Sequence, residues 1–186
     1  VQIIYLNGPT SCGKTTLAKA LQQAFETPFL HVGIDKIIGW MPEKMNNWTG
    51  GEAVLGYSWK EIRDETGNLI QELEVGPFAK KIGKTFREVV LTLAGMGHHL
   101  IIDDVSFGKS EVDIWKEALK NYSVLWVGIN APLSALEQRE LERGNRIAGS
   151  ARGQFAKVHE EVQYDLEVDT HKESPNEIVE KIKSSA

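Results

Sequence analysis

Short apolar runs alternate along the chain with segments in which apolar residues recur every three to four positions. Five runs have the length and composition of buried strands; they are VQIIYLN, PFLHVGID (which ends at Asp35), HLIIDDV, SVLWVGI and YDLEVD. Apolar residues at helical spacing follow the first run, and the same spacing recurs over 77–96, over 112–122 and in PLSALEQRELER. A capping box at 174–177 predicts the start of a last helix. Strands that alternate with helices of this length imply right-handed crossovers. The pattern predicts an α/β fold, a three-layer sandwich with a mainly parallel five-stranded sheet and helices on both faces.

One segment breaks this alternation, between Met45 and Gly76. Alternating apolar residues there flank DETGN, which is typical of a β-hairpin, so we predict a hairpin insertion over residues 46–76. A segment this long is usually either functional or disordered, and Trp48, Tyr57 and Trp59 argue against disorder. Two interpretations stay open, a hairpin packed on the surface and a flap that covers a substrate.

Composition restricts the classes of protein further. A chain of 186 residues is expected to form one domain over 1–186. Its 21 basic and 26 acidic residues give a formal charge of −5, which argues against nucleic acid or an anionic membrane as the main partner and favours a small substrate. No apolar run has the length of a membrane span and the first residues resemble a strand, so we expect a cytoplasmic, soluble protein.

The most informative motif is GPTSCGKT, which lies between the first predicted strand and the first predicted helix. Backbone N–H groups of such a Walker A loop form a concave nest at the positive end of the helix dipole, so a phosphate is favoured there. Lys14 is expected at the β and γ phosphates, and the Thr15 hydroxyl at Mg²⁺. The motif predicts a bound nucleoside triphosphate. The residues expected to contact it are Gly8, Pro9, Thr10, Ser11, Cys12, Gly13, Lys14, Thr15 and Thr16.

Cys12 is the only cysteine, so an internal disulfide is excluded. Its place at a helix N-terminus would lower the pKa of its thiol and make nucleotide binding sensitive to oxidation. The alternative is a small side chain that fills a free position of the motif. The five histidines show no spacing typical of metal ligands.

Two carboxylates end the predicted strand LIIDDV, as in the Walker B segment that holds Mg²⁺ directly or through water. Neighbouring residues of a strand point to opposite faces, so we expect one of Asp103 and Asp104 to reach the metal or its water shell. The alternative for either residue is a cap on the following helix.

Asp35 ends the second predicted strand, at the edge where open α/β sheets bind ligands. A carboxylate close to the γ phosphate can accept the proton of an attacking hydroxyl, which makes Asp35 the candidate for the catalytic base. The alternative is the N-cap of the helix KIIGWM. Trp40 and Met41 follow within two helical turns and are candidates for the wall of an apolar acceptor pocket.

The segment ELERGNRIAGSARGQ carries arginines around two glycines, which predicts a lid over residues 139–153. Guanidinium groups on a mobile segment can close over the charge that phosphoryl transfer spreads across oxygens. Arg143 and Arg146 bracket Gly144, which can act as a hinge, and are the candidates for this role. Arg139 is interpreted instead as part of an exposed helix, paired with neighbouring glutamates.

Several of these segments resemble chloramphenicol phosphotransferases, small P-loop kinases that phosphorylate a hydroxyl of the antibiotic with ATP. The similar segments include IIYLNGPTSCGKTTL, VGIDKIIGWMPEKM, LIIDDVSFG, ERGNRIAG and VHEEVQYDLEVDTHKES. The resemblance implies an adenylate-kinase-like core, ATP and Mg²⁺ at Lys14 and Thr15, Asp35 as catalytic base, and Arg146 at the transferring phosphate. It also implies that Thr170, His171 and Lys172 lie beside the adenine.

The departures from this family affect the substrate more than the reaction. Thr15 stands where the family commonly has Ser, and Asn145 replaces an Asp in the lid motif. The hairpin segment 46–76 is the least similar part and is expected to shape the acceptor pocket. Three interpretations stay open: a kinase of chloramphenicol that inactivates the antibiotic, a kinase of another metabolite or nucleoside, and a nucleotide-binding regulator without catalysis.

Overall fold

A five-stranded parallel sheet forms the centre of the computed structural model, which describes residues 1–49, 51–144 and 147–186. The strands in chain order are β1 (Gln2–Asn7), β2 (Phe29–Gly33), β3 (Tyr57–Arg63), β4 (Leu69–Val75), β5 (His99–Asp104), β6 (Ser123–Asn130) and β7 (Leu166–Asp169). The central sheet has the order β2-β5-β1-β6-β7, and β3 and β4 form a separate antiparallel pair. This confirms the predicted parallel sheet and the hairpin.

Helices cover both faces of the sheet. They are α1 (Lys14–Ala24), α2 (Ile34–Ile38), α3 (Pro77–Gly95), α4 (Gly108–Ala118), α5 (Leu133–Arg143), α6 (Ser150–Phe155) and α7 (Pro175–Ser185). Because successive strand residues point to opposite faces, Ile4 packs with α1 and α7 on one side and Ile3 packs with α3 and α4 on the other. The three-layer sandwich predicted from the sequence is confirmed. No described helix is long and apolar enough to cross a membrane.

The start of α2 differs from the prediction. Strand β2 ends at Gly33, which is the N-cap of α2, and Asp35 lies in the first turn of that helix. The interpretation of Asp35 as the N-cap is therefore wrong.

The capping box of α7 is confirmed, because Ser174 Oγ accepts from the backbone N–H of Glu177 at 3.3 Å and a Glu177 carboxylate oxygen accepts from the N–H of Ser174 at 2.8 Å.

Main-chain contacts join the hairpin to the segment predicted as a lid. The N–H of Gln71 donates to the carbonyl oxygen of Gly149 at 3.1 Å, and the N–H of Ile147 donates to that of Trp48 at the same distance. A Cβ atom at Gly153 would lie 2.2 Å from the carbonyl oxygen of Gln71, so only glycine allows this approach. The hairpin therefore packs against α6.

Candidate active site

A cavity of about 960 Å³ opens at the carboxyl ends of β1, β2 and β5. Its lining includes residues of the GPTSCGKT loop, of the hairpin and of helices α2, α3, α4 and α5. Parallel α/β sheets bind their ligands at this edge. The volume is at the upper end of the usual range for ligand pockets, which leaves room for a nucleotide together with a second small molecule.

The loop reaches its concave form through two left-handed residues and one close approach. Ser11 has φ 62° and Gly13 has φ 98°. A Cβ atom at Gly8 would lie 2.6 Å from the carbonyl oxygen of Ile129, so the loop rests directly on β6. Six of the predicted phosphate-contacting residues line the cavity, namely Thr10, Ser11, Gly13, Lys14, Thr15 and Thr16. Gly8, Pro9 and Cys12 belong to the same loop but do not line the cavity.

Lys14 lies across this loop. Its ammonium donates to the carbonyl oxygens of Gly8 at 2.7 Å and of Pro9 at 3.0 Å, and only 7% of the residue is exposed. These bonds hold the cation at the phosphate nest, where a point charge on a flexible stem suits a phosphate oxygen.

Cys12 is fully buried, and burial raises the pKa of its thiol even though the Lys14 ammonium lies 3.7 Å from Sγ and opposes the shift. The interpretation of Cys12 as a thiol with a lowered pKa is therefore wrong. Its side chain fills the space below the loop, and the thiolate that oxidation requires is disfavoured.

The two carboxylates of β5 have different surroundings. The Thr15 hydroxyl donates to Asp103 Oδ2 at 2.6 Å, and His31 Nε2 lies 3.2 Å from the same oxygen. Burial opposes ionisation of Asp103, but its bond to His31, the charge of Lys14 and its bond to Thr15 outweigh burial and lower its pKa. Asp103 is therefore the carboxylate that lies beside Thr15, ionised at neutral pH.

Asp104 accepts hydrogen bonds from Tyr5 Oη at 2.9 Å, from Ser106 Oγ at 3.0 Å and from Trp115 Nε1 at 2.8 Å. Burial raises its pKa against the effect of these donors. Helix α4 has Phe107 at its N-cap, so neither carboxylate caps it. The geometry places Asp103 nearer than Asp104 to the predicted magnesium position.

Asp35 lines the cavity from the first turn of α2. Tyr57 of the hairpin shares a buried cluster with Ile38 of the same helix, and Ile34 packs against that cluster. Burial and then the charges of Asp104, Glu111 and Asp35 raise the pKa of Tyr57 to about 12. The Trp48 and Tyr57 rings stack with centroids 5.5 Å apart, and Trp59 meets Trp48 edge-on at 6.2 Å. All three aromatic residues line the cavity. The hairpin therefore forms the wall beside Asp35.

The predicted wall residues lie elsewhere. Trp40 is 71% exposed, and Met41 is buried in a cluster with Ile38 and Tyr57. Neither belongs to the cavity lining. The spacing from Asp35 selected the wrong aromatic residue because the hairpin, which is remote in sequence, occupies the position beside Asp35.

Arg139 corrects another prediction. Its guanidinium donates to the hydroxyl and the carbonyl oxygen of Thr170, both at 3.0 Å, and to the carbonyl oxygen of Ser11 at 3.4 Å. The Thr170 hydroxyl donates in turn to the carbonyl oxygen of Cys12 at 2.8 Å. Arg139 thus joins the GPTSCGKT loop, called the phosphate loop below, to the loop after β7, and it also lines the cavity. The four-residue spacing from Arg143 places both arginines on one face of α5, but it does not show what that face contacts.

The glutamates expected to pair with Arg139 have other partners. Glu137 pairs with Arg152 at 2.7 Å, and Glu140 accepts from the N–H groups of Gly149 and Ala151 at 2.9 and 2.7 Å. Sequence reasoning also missed Gln154 of α6, whose side-chain oxygen accepts from the N–H of Thr10 at 2.7 Å. These contacts anchor the segment beyond residue 147 to the core.

The remaining predicted residues divide between the cavity and the surface. Arg143 and Thr170 line the cavity, whereas His171 and Lys172 do not. Glu173, Pro175 and Ile178 also line it, in the region after β7 where the family resemblance implies the adenine. Asn145 and Arg146 lie outside the described residues.

We expect Arg139→Gln to raise the KM for ATP about tenfold with little change in kcat, because the glutamine cannot span the phosphate loop and Thr170. Steady-state kinetics with varied ATP measures this effect. The matched control is Arg152→Gln, whose arginine pairs with Glu137 outside the cavity lining and whose loss leaves the KM for ATP unchanged. An unchanged KM in Arg139→Gln would show that Arg139 has no part in nucleotide binding.

The fold is that of the P-loop kinases. Mycobacterium tuberculosis APS kinase CysC, solved in complex with AMPPNP and APS, superposes with a TM-score of 0.67 at 13% identity over 98% of this chain and 95% of that one. The tunicamycin resistance protein of Deinococcus radiodurans has a TM-score of 0.62 at 16% identity over 100% and 95% of the two chains. At these identities the likeness is one of fold.

The family follows from the sequence match. The model of the family described as "Chloramphenicol phosphotransferase-like protein" matches residues 1–186, so the chain belongs to this family and is a phosphotransferase. A Mycobacterium tuberculosis protein named "Putative O-phosphotransferase Rv2636" is 26% identical over 184 residues, which are 99% of this chain and 81% of that protein. The resemblance drawn from the motifs is confirmed at the level of the family.

Proposed function

We propose that the protein is an ATP-dependent O-phosphotransferase that moves the γ-phosphate to a hydroxyl of a small molecule, with Asp35 as general base. The observation that supports this most directly is that one cavity is lined both by the phosphate loop, which follows β1, and by Asp35, which follows β2. A nucleotide switch has no need for a carboxylate at the acceptor side, so this arrangement favours transfer over regulation.

The donor side binds the nucleotide. The backbone N–H groups of the loop residues that line the cavity, Ser11 and Gly13 to Thr16, are proposed to bind the phosphates, with Lys14 at the β and γ phosphates. Arg143, and Arg146 outside the described residues, are proposed to neutralise the transferring phosphate. The adenine is proposed to lie against the part of the cavity wall formed by Arg139, Thr170, Glu173 and neighbouring residues.

Thr15 and Asp103 are the residues proposed to hold Mg²⁺. Their oxygen atoms lie 2.6 Å apart, one a hydroxyl and one an ionised carboxylate, and Mg²⁺ prefers such donors. Mg²⁺ in kinases usually keeps several phosphate and water ligands, so two protein oxygens are enough to hold it there. When bound, the ion neutralises charge on the phosphates.

The acceptor side orients the hydroxyl. Asp35 accepts the hydroxyl proton while the oxygen attacks the γ-phosphorus, and the bond from that phosphorus to the bridging oxygen breaks, with ADP as the leaving group. The hairpin aromatics exclude water from this side, which favours transfer to the hydroxyl over hydrolysis. Because ATP is the donor, we expect the protein to work in the cytoplasm.

Chloramphenicol is the acceptor that family membership suggests, and its phosphorylation would inactivate the antibiotic. Another metabolite or a nucleoside is the alternative, because the hairpin that walls the acceptor side is the part of the chain that least resembles the family.

A panel assay of ADP release with and without hydroxyl compounds, including chloramphenicol and nucleosides, tests the proposal. We expect at least one compound to raise ATP turnover well above its basal rate. ATP binding with no acceptor-dependent turnover across the panel would favour the regulator instead.

A further inference from the structure

Helix α3 contributes basic side chains to the half of the cavity that holds Asp35, and the transfer step described above uses none of them. Lys80, Lys84 and Arg87 all line the cavity. Spacings of four and three residues place them on one face of the helix. Helix α2 packs against α3, and Ile38 of α2 shares a buried cluster with Ala79 of α3. The basic face therefore belongs to the acceptor side of the cavity.

Two of these cations take part in none of the ion pairs among the described residues. Across residues 1–49, 51–144 and 147–186, no ion pair involves Lys80 or Lys84. Arg87 differs from the two lysines because its charge acts on Glu111, where it opposes the rise in pKa that burial causes. The carboxylate of Asp104 is buried and accepts hydrogen bonds from Tyr5, Ser106 and Trp115. The cavity wall thus presents two ammonium groups, one helical turn apart, to whatever binds there.

Another part of the same cavity wall is aromatic. Trp48 and Tyr57 stack on each other at an interplanar angle of 25°, and both line the cavity together with Trp59. The indole Nε1 of Trp59 is buried and has no hydrogen-bond partner among the described residues. A buried donor without a partner costs free energy, so a ligand atom that accepts from it would be favoured.

We infer that the acceptor is a planar, ring-containing alcohol that carries an anionic group, a carboxylate or a phosphate. The ring packs on Trp48 and Tyr57, Lys80 and Lys84 bind the anion, and the hydroxyl lies at Asp35. The inference rests on the proposed function, since it names the substrate class of the same site. It also makes a neutral alcohol such as chloramphenicol a poor acceptor.

Matched ligand pairs separate charge from shape. One pair is 4-(hydroxymethyl)benzoate and 4-(hydroxymethyl)benzamide, and the other is uridine 5′-monophosphate and uridine. Binding is measured by tryptophan fluorescence with AMPPNP present, so that it does not depend on turnover. We expect the anionic member of at least one pair to bind at least about tenfold more tightly, the effect of one charge-assisted hydrogen bond.

The double variant Lys80→Gln/Lys84→Gln is expected to remove this preference and leave the affinity for AMPPNP unchanged. Both lysines are exposed, so the fold is retained. Lys81→Gln is the matched control, because Lys81 lies between them on α3, is exposed and does not line the cavity. It is expected to keep the preference.

Three results would overturn the inference. They are equal binding of the charged and neutral members of both pairs, no saturable binding of any of these ligands, and a preference for the anion that survives in the double variant. A loss of AMPPNP affinity alone would assign the lysines to the nucleotide and overturn it as well. The proposed function fails separately: selective binding of the anionic ligands with no transfer from ATP would contradict the phosphotransferase and leave the acceptor class standing.

Discussion

Asp35→Asn is expected to lower kcat by at least about 10², because the amide cannot accept the proton of the attacking hydroxyl and general base catalysis typically contributes that much. The substitution changes one atom of an exposed side chain that lines the cavity, so the fold and the phosphate loop stay intact. Steady-state turnover with an acceptor found in the panel measures the effect. The Kd for AMPPNP is expected to stay within about twofold of the wild-type value, well below the effect of a lost hydrogen bond.

The control for this variant is Glu43→Gln. Glu43 is an exposed carboxylate shortly after α2 that does not line the cavity, so its neutralisation leaves kcat unchanged. Near-full turnover in Asp35→Asn would remove Asp35 from the role of base. An equal loss in both variants would indicate an effect of net charge on the site.

Lys14→Gln is expected to lower kcat by about 10² to 10³, the usual effect of removing one donor that stabilises developing charge. The variant also loses the bonds to the carbonyl oxygens of Gly8 and Pro9, so the affinity for ATP falls as well. Turnover at saturating ATP separates the two effects.

Lys19→Gln is the matched control for Lys14→Gln. Lys19 lies on the same helix, is exposed and does not line the cavity, so its variant is expected to keep the wild-type kcat and KM. A thermal melt of both variants checks that the loop remains folded. Wild-type turnover in Lys14→Gln would contradict the assignment of the phosphate loop.

Local patterns of apolar and polar residues were sufficient to predict the strands and helices of the fold. The alternation of Ile3 and Ile4 between two buried clusters is the period-two pattern that predicts a strand covered on both faces. The phosphate loop was predictable for the same reason, because its glycines and Lys14 act within eight consecutive residues. Family membership adds the reaction class to this picture.

The contacts that complete the candidate site are remote in sequence. Arg139 meets Thr170 across 31 positions, and Gln154 meets Thr10 across 144. A helix pattern with nearby glutamates favours local ion pairs, and only the packing of α5 beside the loop after β7 shows that Arg139 faces the other way. The prediction that Trp40 lies in the pocket wall was wrong for the same reason, because the placement of the hairpin aromatics there depends on the contacts of the hairpin with α6.

The burial of single groups was equally hard to predict. A helix N-terminus and a neighbouring lysine would lower the pKa of Cys12, yet complete burial reverses the direction. Asp103 shows the opposite balance, because three polar neighbours outweigh its burial. Neighbouring positions in a motif do not reveal which effect is larger.

The central claim is that the γ-phosphate moves to an organic hydroxyl, and label transfer from [γ-³²P]ATP tests it most directly. With an acceptor that stimulates turnover, we expect the label in a phosphate ester of that acceptor, in step with ADP release, and we expect Asp35→Asn to abolish most of it. Label found only as inorganic phosphate, at the same rate with and without acceptor, would show that the protein hydrolyses ATP and does not transfer the phosphate.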